Sequence, residues 1–321
     1  MADHTDIWVF SEKPALQAEL IACAQQLTAH TGGQVTAVVL GARSQAEQAL
    51  EQGAQRVLWL GELPTGRLVE DIVPTLTAAV QDKRPFGVII GATVRGRAVA
   101  GRLAARLSVT VLADVLEFQW DGVALLARHM VFGGGAVRID RPLASPVIAT
   151  VGQGVFEART RQTPSSDEIE SLPWVEPPWQ AAVIERRSRG VSSVNLSAAK
   201  RVICPGRGVA RQEDLGMIEE LAQALSAEMA CTRPLAEGLD WLPRERYIGI
   251  SGAMIKPDLY LGVGVSGQAQ HTIGMSESRV VVAINKDRGA PLMTQSDYAV
   301  EGDLYQVVPA LIRALKARKG K

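Results

Sequence analysis

Apolar residues along this chain recur at two spacings, and the two alternate. Short, β-branched runs fall at 6–10, 34–40, 56–60 and 86–91 and predict buried strands. Between them, apolar residues return every third or fourth position. Leu16, Leu20, Ala24 and Leu27 do so over 15–30, and a second such stretch covers 67–82, which predicts helices. Ser44 with Glu47 three positions later is the capping-box pattern, and predicts a short helix over 44–52. Thr93 predicts the N-cap of a further helix striped by Val99, Leu103 and Leu107. The arginines on that helix, Arg95, Arg97, Arg102 and Arg106, read as a solvated face. Runs at 110–120 and 124–132 flank Asp121-Gly122, a hairpin signal, and 147–151 predicts another core strand. The triple glycine at 133–135 predicts a turn or bulge.

The pattern breaks at 163–179, where Pro164, Pro173, Pro177 and Pro178 sit amid Ser, Asp and Glu; this reads as a linker. A strand over 181–187 follows, with a brief solvated basic run at 186–189. A domain change near 192–199 gives two domains, 1–195 and 196–321. The second opens with a strand over 201–204 and the loop Pro205-Gly206-Arg207-Gly208. A helix over 212–228 carries Leu215, Ile218, Leu221, Ala222 and Leu225 on one face. Strands at 259–265 and 280–284 bracket a helix start at Gln268, and a helix over 303–317 closes the chain. Pro309 inside that helix predicts a kink or a late start. The fold class is therefore α/β: two domains, each a mostly parallel sheet flanked by helices, the second Rossmann-like.

Composition narrows the function. The chain has 321 residues, enough for two cores, with 47% hydrophobic and 21% charged residues. Lys plus Arg equals Asp plus Glu at 34 each, which argues against nucleic acid as a partner. No apolar run approaches the roughly 18 residues of a membrane span, and the N-terminal residues carry no secretion pattern, so a cytoplasmic protein is expected. Cys23, Cys204 and Cys231 have no metal-site spacing, and no nucleophile–base pair or paired carboxylates stand out.

What stands out is 257–303. An apolar strand stops at Ser266-Gly267 and a helix start follows, an arrangement that offers backbone N–H groups to an anion. The next strand ends in Asn285 and Asp287, at the sheet edge where open α/β folds bind ligands. A phosphate-bearing ligand, a nucleotide, is implied. Gly262, Gly264 and Gly267 spell G-x-G-x-x-G with Asp287 about 20 residues on, the dinucleotide spacing. Gly262 and Gly264 fall inside the predicted strand rather than in a turn, where they would instead let a helix or ring pack closely. At this level a nicotinamide-dependent dehydrogenase and a redox-silent nucleotide-binding scaffold both stay open.

Several ordered segments carry a further likeness: Gly206-Arg207-Gly208, Cys231-Thr232-Arg233-Pro234, Tyr247-Ile248-Gly249-Ile250-Ser251-Gly252, Ser266-Gly267-Gln268-Ala269-Gln270-His271, Ala283-Ile284-Asn285-Lys286-Asp287 and Ser296-Asp297-Tyr298. Together they resemble the C-terminal flavin-binding domain of electron transfer flavoprotein α subunits, in the FixB-like branch. Gly91-Ala92-Thr93, Gly96-Arg97 and Arg102-Leu103-Ala104 resemble the first domain of the same family. The resemblance implies a carrier rather than an enzyme, with one non-covalent FAD in the second domain. It implies a β-subunit partner of FixA type that contacts the first domain. It implies a flavin dehydrogenase donor of the acyl-CoA dehydrogenase type and a quinone oxidoreductase acceptor. FixB-type relatives also include electron-bifurcating complexes with a second flavin in the β subunit.

Residue by residue, the resemblance puts Arg207 on the adenosine-diphosphate portion and Thr232 and Arg233 by the diphosphate and ring. Ser251, in the loop with Ile248, Gly249 and Ile250, turns its hydroxyl to the flavin N5 edge. Ser266, Gly267, Gln268, Ala269 and Gln270 wrap ribityl and phosphate groups, and His271 faces the pyrimidine end as a donor. Asn285, Asp303 and Leu304 hold the adenosine. Ile250-Ser251 stands where many members have Gln-Thr, Gln268 replaces a small residue and Thr232 replaces a serine, changes that bear on the redox potential; Ala299 replaces a glycine, which implies a different turn there.

Overall fold

The computed structural model describes residues 5–132, 135–158, 168–179, 181–185 and 196–319. The chain divides into two compact units, Met1–Ser188 and Arg189–Lys321.

The first unit alternates strand and helix: β1 (Ile7–Phe10), α1 (Pro14–Thr31), β2 (Val35–Val39), α2 (Arg43–Glu51), β3 (Arg56–Trp59), α3 (Val73–Lys83), β4 (Gly87–Gly91) and α4 (Val94–Leu107). The strands β5 (Val111–Trp120), β6 (Leu125–Val131), β7 (Ala136–Asp140), β8 (Val147–Val151) and β9 (Glu168–Ser171) complete a nine-stranded sheet in the order β7-β6-β5-β8-β4-β1-β2-β3-β9. Only the β5–β6 and β6–β7 pairings are antiparallel. Every residue of β1, β2, β4 and β8 is buried, as a sheet covered on both faces requires. Strand alternation sorts the core: Ile7 and Val9 pack with Leu16 and Leu20 of α1, whereas Trp8 and Phe10 pack with Leu76 of α3 and Leu103 of α4.

Several expectations change here. α2 starts at Arg43 from Ala42 with no side-chain cap, so Ser44 lies inside the first turn and Glu47 pairs with Arg43 at 3.4 Å instead of closing a capping box. A 3-10 turn, Val69–Ile72, precedes α3, because the Asp71 carboxylate takes the Leu68 N–H. Thr93 caps α4 as expected, accepting from Gly96 N–H at 2.8 Å. The arginines of α4 are not merely solvated: Arg97 pairs with Asp114 at 2.9 Å, and Arg102 and Arg106 stack on Trp179. The supposed linker belongs to the first unit over its described part. Ile169, Leu172 and Trp174, hidden among its prolines and acids, pack on the core, and β9 pairs parallel with β3. Residues 181–185 form no strand; 133–134 and the basic run from Arg186 to Arg189 lie outside the described residues.

The second unit is β10 (Arg201–Pro205), α5 (Leu215–Leu225), β11 (Glu228–Met229), α6 (Arg233–Glu237), β12 (Leu259–Val263), α7 (Ala269–Thr272), β13 (Val281–Asn285), α8 (Pro291–Gln295), β14 (Tyr298–Glu301) and α9 (Leu304–Lys319). Its five strands run in the order β11-β10-β12-β13-β14, all parallel. Ile203 and Leu261 face α5 and α9; Val202, Cys204, Tyr260 and Ala283 face the other side. α5 ends earlier than predicted because Ser226 turns left-handed at φ 50°, which frees 228–229 for β11. Pro309 lies within α9. No helix among the described residues is long and apolar enough to cross a membrane.

Candidate functional site

A parallel sheet delivers the loops after its strands to one edge. In the second unit, the loops after β10, β11, β12 and β13 surround a cleft of about 540 Å³. The first pair meets backbone to backbone. Gly206 N–H bonds Val263 O at 2.9 Å and Gly208 N–H bonds Gly264 O at 3.0 Å. A Cβ on Gly208 would stand 2.6 Å from Gly264 Cα, and Gly264 itself is left-handed at φ 63°. These glycines let the Arg207 loop cross the end of β12. Gly264 therefore lies just past the strand, not inside it. Gly262 is inside, and a Cβ there would meet Leu292 of α8 at 2.5 Å. Gly267, at φ 84°, also lies under Leu292. The literal glycine fingerprint thus serves a loop crossing and the packing of α8, and α7 behind it is only four residues long.

Thirteen of the sixteen expected site residues line the cleft: Arg207, Thr232, Arg233, Ile248, Gly249, Ile250, Ser251, Ser266, Gly267, Gln268, Gln270, His271 and Asn285. Ala269, Asp303 and Leu304 do not. Ala269 is the exposed first residue of α7. Asp303 caps α9 through its carboxylate on Tyr305 N–H at 2.9 Å. Leu304 is buried behind Gly264 in the core with α5, so it supports the cleft floor from below.

Two features mark the cleft as built for a ligand. Thr232 is nine-tenths buried, yet its hydroxyl has no protein partner. A buried orphan hydroxyl is costly unless something else satisfies it. Among the described residues, the N–H groups of Ser266, Gly267 and Gln268 likewise donate to no protein acceptor. Successive free N–H groups in a turn form an anion-binding concavity.

His271 departs from its expected role as a donor to the ligand. Its Nδ1 lies 3.0 Å from Ile248 O and its Nε2 2.7 Å from Tyr260 Oη. A carbonyl only accepts, so Nδ1 carries the proton and Nε2 accepts from the tyrosine. Burial pushes the imidazole pKa down to about 4, opposed by the bond to Ile248 O, so the ring is neutral. Cys204 Sγ, 3.9 Å from Nε2, completes a buried Cys204–Tyr260–His271 group behind the cleft. The ring nitrogens are engaged, and His271 acts on the wall: it holds Ile248 O, while Ile250 N–H bonds Gln270 O at 2.8 Å.

Asn285 is similarly occupied. Its amide donates to Val265 O at 2.9 Å and accepts from Asp287 N–H at 3.0 Å, locking together the loops after β12 and β13. The Tyr247 hydroxyl donates to Ser251 O and so braces the loop that carries the expected N5 contact. Gly208, Pro234, Tyr247, Gly264, Val265, Asp287 and Ala290 also line the cleft. Most of them sit one or two positions from an expected residue at a strand's carboxyl end, a signal present in the sequence. Burial raises all three thiols, Cys231 to about 12, which leaves them unreactive. No His, Cys, Asp and Glu grouping able to hold a metal occurs among the described residues.

The fold and this cleft fit an α/β nucleotide-binding unit, with unpartnered donors suited to a phosphate. Comparison with known proteins gives the family. The electron transfer flavoprotein domain matches residues 10–176, and the electron transfer flavoprotein FAD-binding domain matches residues 195–276. YdiR of Escherichia coli K12, described as an electron transfer flavoprotein subunit, is 41% identical over 318 residues, covering 98% of this chain and 99% of its own. Protein FixB of Escherichia coli O139:H28 is 35% identical over 316 residues, and FixB of Shigella flexneri is likewise 35% identical over 316; each match covers 98% of this chain and 99% of the relative. A solved chain from Mycobacterium smegmatis, described as a thiamin diphosphate-dependent enzyme, aligns with 96% of this chain and 59% of its own at 14% identity and a TM-score of 0.23. The chain belongs to the electron transfer flavoprotein family as a FixB-like α subunit, and FAD is its cofactor. The orphan Thr232 hydroxyl and the free N–H groups of the β12 loop fit the diphosphate of that cofactor.

Proposed function

We propose that this chain is the FAD-bearing half of a cytoplasmic two-subunit electron carrier, joined to a FixA-like β subunit through its residues 1–195. Residues 196–321 hold the cofactor. The carrier takes electrons from a flavin dehydrogenase of the acyl-CoA type and passes them to a quinone oxidoreductase. The observation that supports this reading most directly is the cleft with its unpartnered Thr232 hydroxyl beside the free N–H groups of Ser266, Gly267 and Gln268. Bound FAD supplies the one-electron chemistry.

The chain's own residues bind and tune. Arg207 meets the adenosine diphosphate, and the Thr232 hydroxyl and the 266–268 N–H groups bind phosphate. Arg233 sets a positive charge beside the ring, where charge added on reduction is stabilised. Ser251, braced by Tyr247, offers its hydroxyl to the N5 edge. His271 stays neutral and shapes the wall behind the ring. Asn285 reaches the adenosine only by fixing the Asp287 loop beside it.

The test is an absorption spectrum of the chain purified with and without its FixA-like partner, followed by release and identification of the cofactor. One FAD per chain is expected. A second FAD that appears only with the partner marks a bifurcating complex. A protein that stays colourless with FAD and partner supplied, but releases ADP or AMP, overturns the carrier in favour of a redox-silent nucleotide-binding subunit. A pyridine nucleotide in place of FAD would favour the nicotinamide-dependent dehydrogenase.

A further inference from the structure

We infer that Glu237 is the positioning residue for Arg233: it fixes the direction and partly cancels the charge of that guanidinium at the cleft, and Arg244 sets how far it does so. This rests on the flavin reading above and concerns what tunes the cofactor. α6 begins with Arg233 and ends with Glu237, one helical turn apart on one face. Glu237 Oε2 accepts from Arg233 Nε at 2.5 Å, and Oε1 meets Arg244 Nε at 2.9 Å. Each carboxylate oxygen therefore holds one guanidinium. The glutamate is the more enclosed member, 22% exposed against 66% for Arg233 and 72% for Arg244.

The geometry divides the arginine's work. Arg233 lines the cleft, while Glu237 and Arg244 line an adjoining depression of about 750 Å³. A guanidinium is a rigid planar fork with five donors. Holding its Nε end restrains the plane of the whole fork. Among the described residues no protein group accepts from the two terminal nitrogens of Arg233, so the paired end of the fork is left for a ligand. Two cations and one anion make the cluster net +1. Its partial exposure means water and salt attenuate the field, so the effect on a nearby ring is moderate. Stability would barely register it; the potential of the bound cofactor would.

The experiment is a redox titration of the FAD-loaded chain with its partner, in wild type, Glu237→Gln, Arg244→Gln and Arg233→Gln backgrounds. Glu237→Gln keeps an acceptor for Arg233 and removes the negative charge. It is expected to favour reduced over oxidised FAD by about threefold to tenfold, a rise of about 15–30 mV for a two-electron couple. Arg244→Gln leaves Glu237 undivided on Arg233 and is expected to lower the potential. In an Arg233→Gln background each shift shrinks to less than half, because only the direct field of the altered charge remains. Shifts that are absent, of one sign, or undiminished without Arg233 overturn the inference. FAD content read from the same samples separates the levels: a wild-type chain without FAD overturns the flavin reading and this inference with it, whereas a loaded chain with an unmoved potential overturns this inference alone.

Discussion

His271 shows how one residue type in one motif position acquires its role from what surrounds it. The family resemblance implies a place at the flavin edge; only the packing of Tyr260 and Ile248 against its two nitrogens reveals that it has no donor to spare. Tyr260 lies eleven positions away on β12, and no local pattern links the two. The consequence is a pH dependence. The folded pKa is about 4 against 6.5 for the free side chain, so the unfolded chain binds the extra proton between these values. Stability contributed by the neutral ring is complete above about pH 6.5 and declines as pH falls toward 4, by on the order of 3 kcal/mol at the lower end. The faces around His271 carry Tyr260 and Cys204, and among the described residues no charged group acts on the ring to offset this. Urea unfolding of wild type and His271→Gln at pH 7.0 and 4.5 tests it: the variant should show the shallower decline. Equal declines in the two proteins would mean that His271 is already charged, or solvated, in the folded chain.

At the scale of elements, the floor of the cleft depends on two loops with no room for a side chain between them. Gly264→Ala would force a Cβ into a left-handed residue, at about 1–2 kcal/mol, and place it 2.8 Å from Gly208 Cα. The β10 loop must then move, carrying Arg207 with it. Expected outcomes are a lower denaturation midpoint and FAD binding weakened at least about tenfold, since 1.4 kcal/mol is already a factor of ten; flavin fluorescence titration reads the second. An unchanged FAD affinity would show that the crossing does not position Arg207. The strands of the first unit's parallel core and both strands flanking the glycine loop were legible because buried parallel strands are continuous apolar runs. β7, β9 and β14 were not. β7 and β14 are edge strands, exposed along nearly their whole length, so no apolar run betrays them. β9 is also an edge strand, set among prolines whose composition masks Ile169. α6 and α8 span five residues each, too short for a helical period to repeat. The cleft was more legible than the minor elements around it, because its residues cluster at strand ends, which long-range pairing brings together.

For the whole molecule, the division into two units separates cofactor binding from the larger sheet. Every residue lining the cleft lies in the second unit. The first unit has its own two-sided core, built by α1 and α2 on one face and α3 and α4 on the other. A ligand stabilises what it binds, by about 2.7 kcal/mol at 100 times its Kd, and only the states in which its site is formed. FAD should therefore slow amide exchange in the segments that make the cleft: 205–208, 231–234, 247–252, 264–271 and 285–290. Exchange in β1, β2, β4 and β8 should stay as it is. Those amides are already held by parallel ladders inside a fully covered sheet, and their opening does not pass through the cleft. Hydrogen exchange with and without saturating FAD, read by peptide, distinguishes this from a single cooperative body. In that case protection would rise equally in both units, and the first unit would be a structural participant in cofactor binding rather than a separate platform.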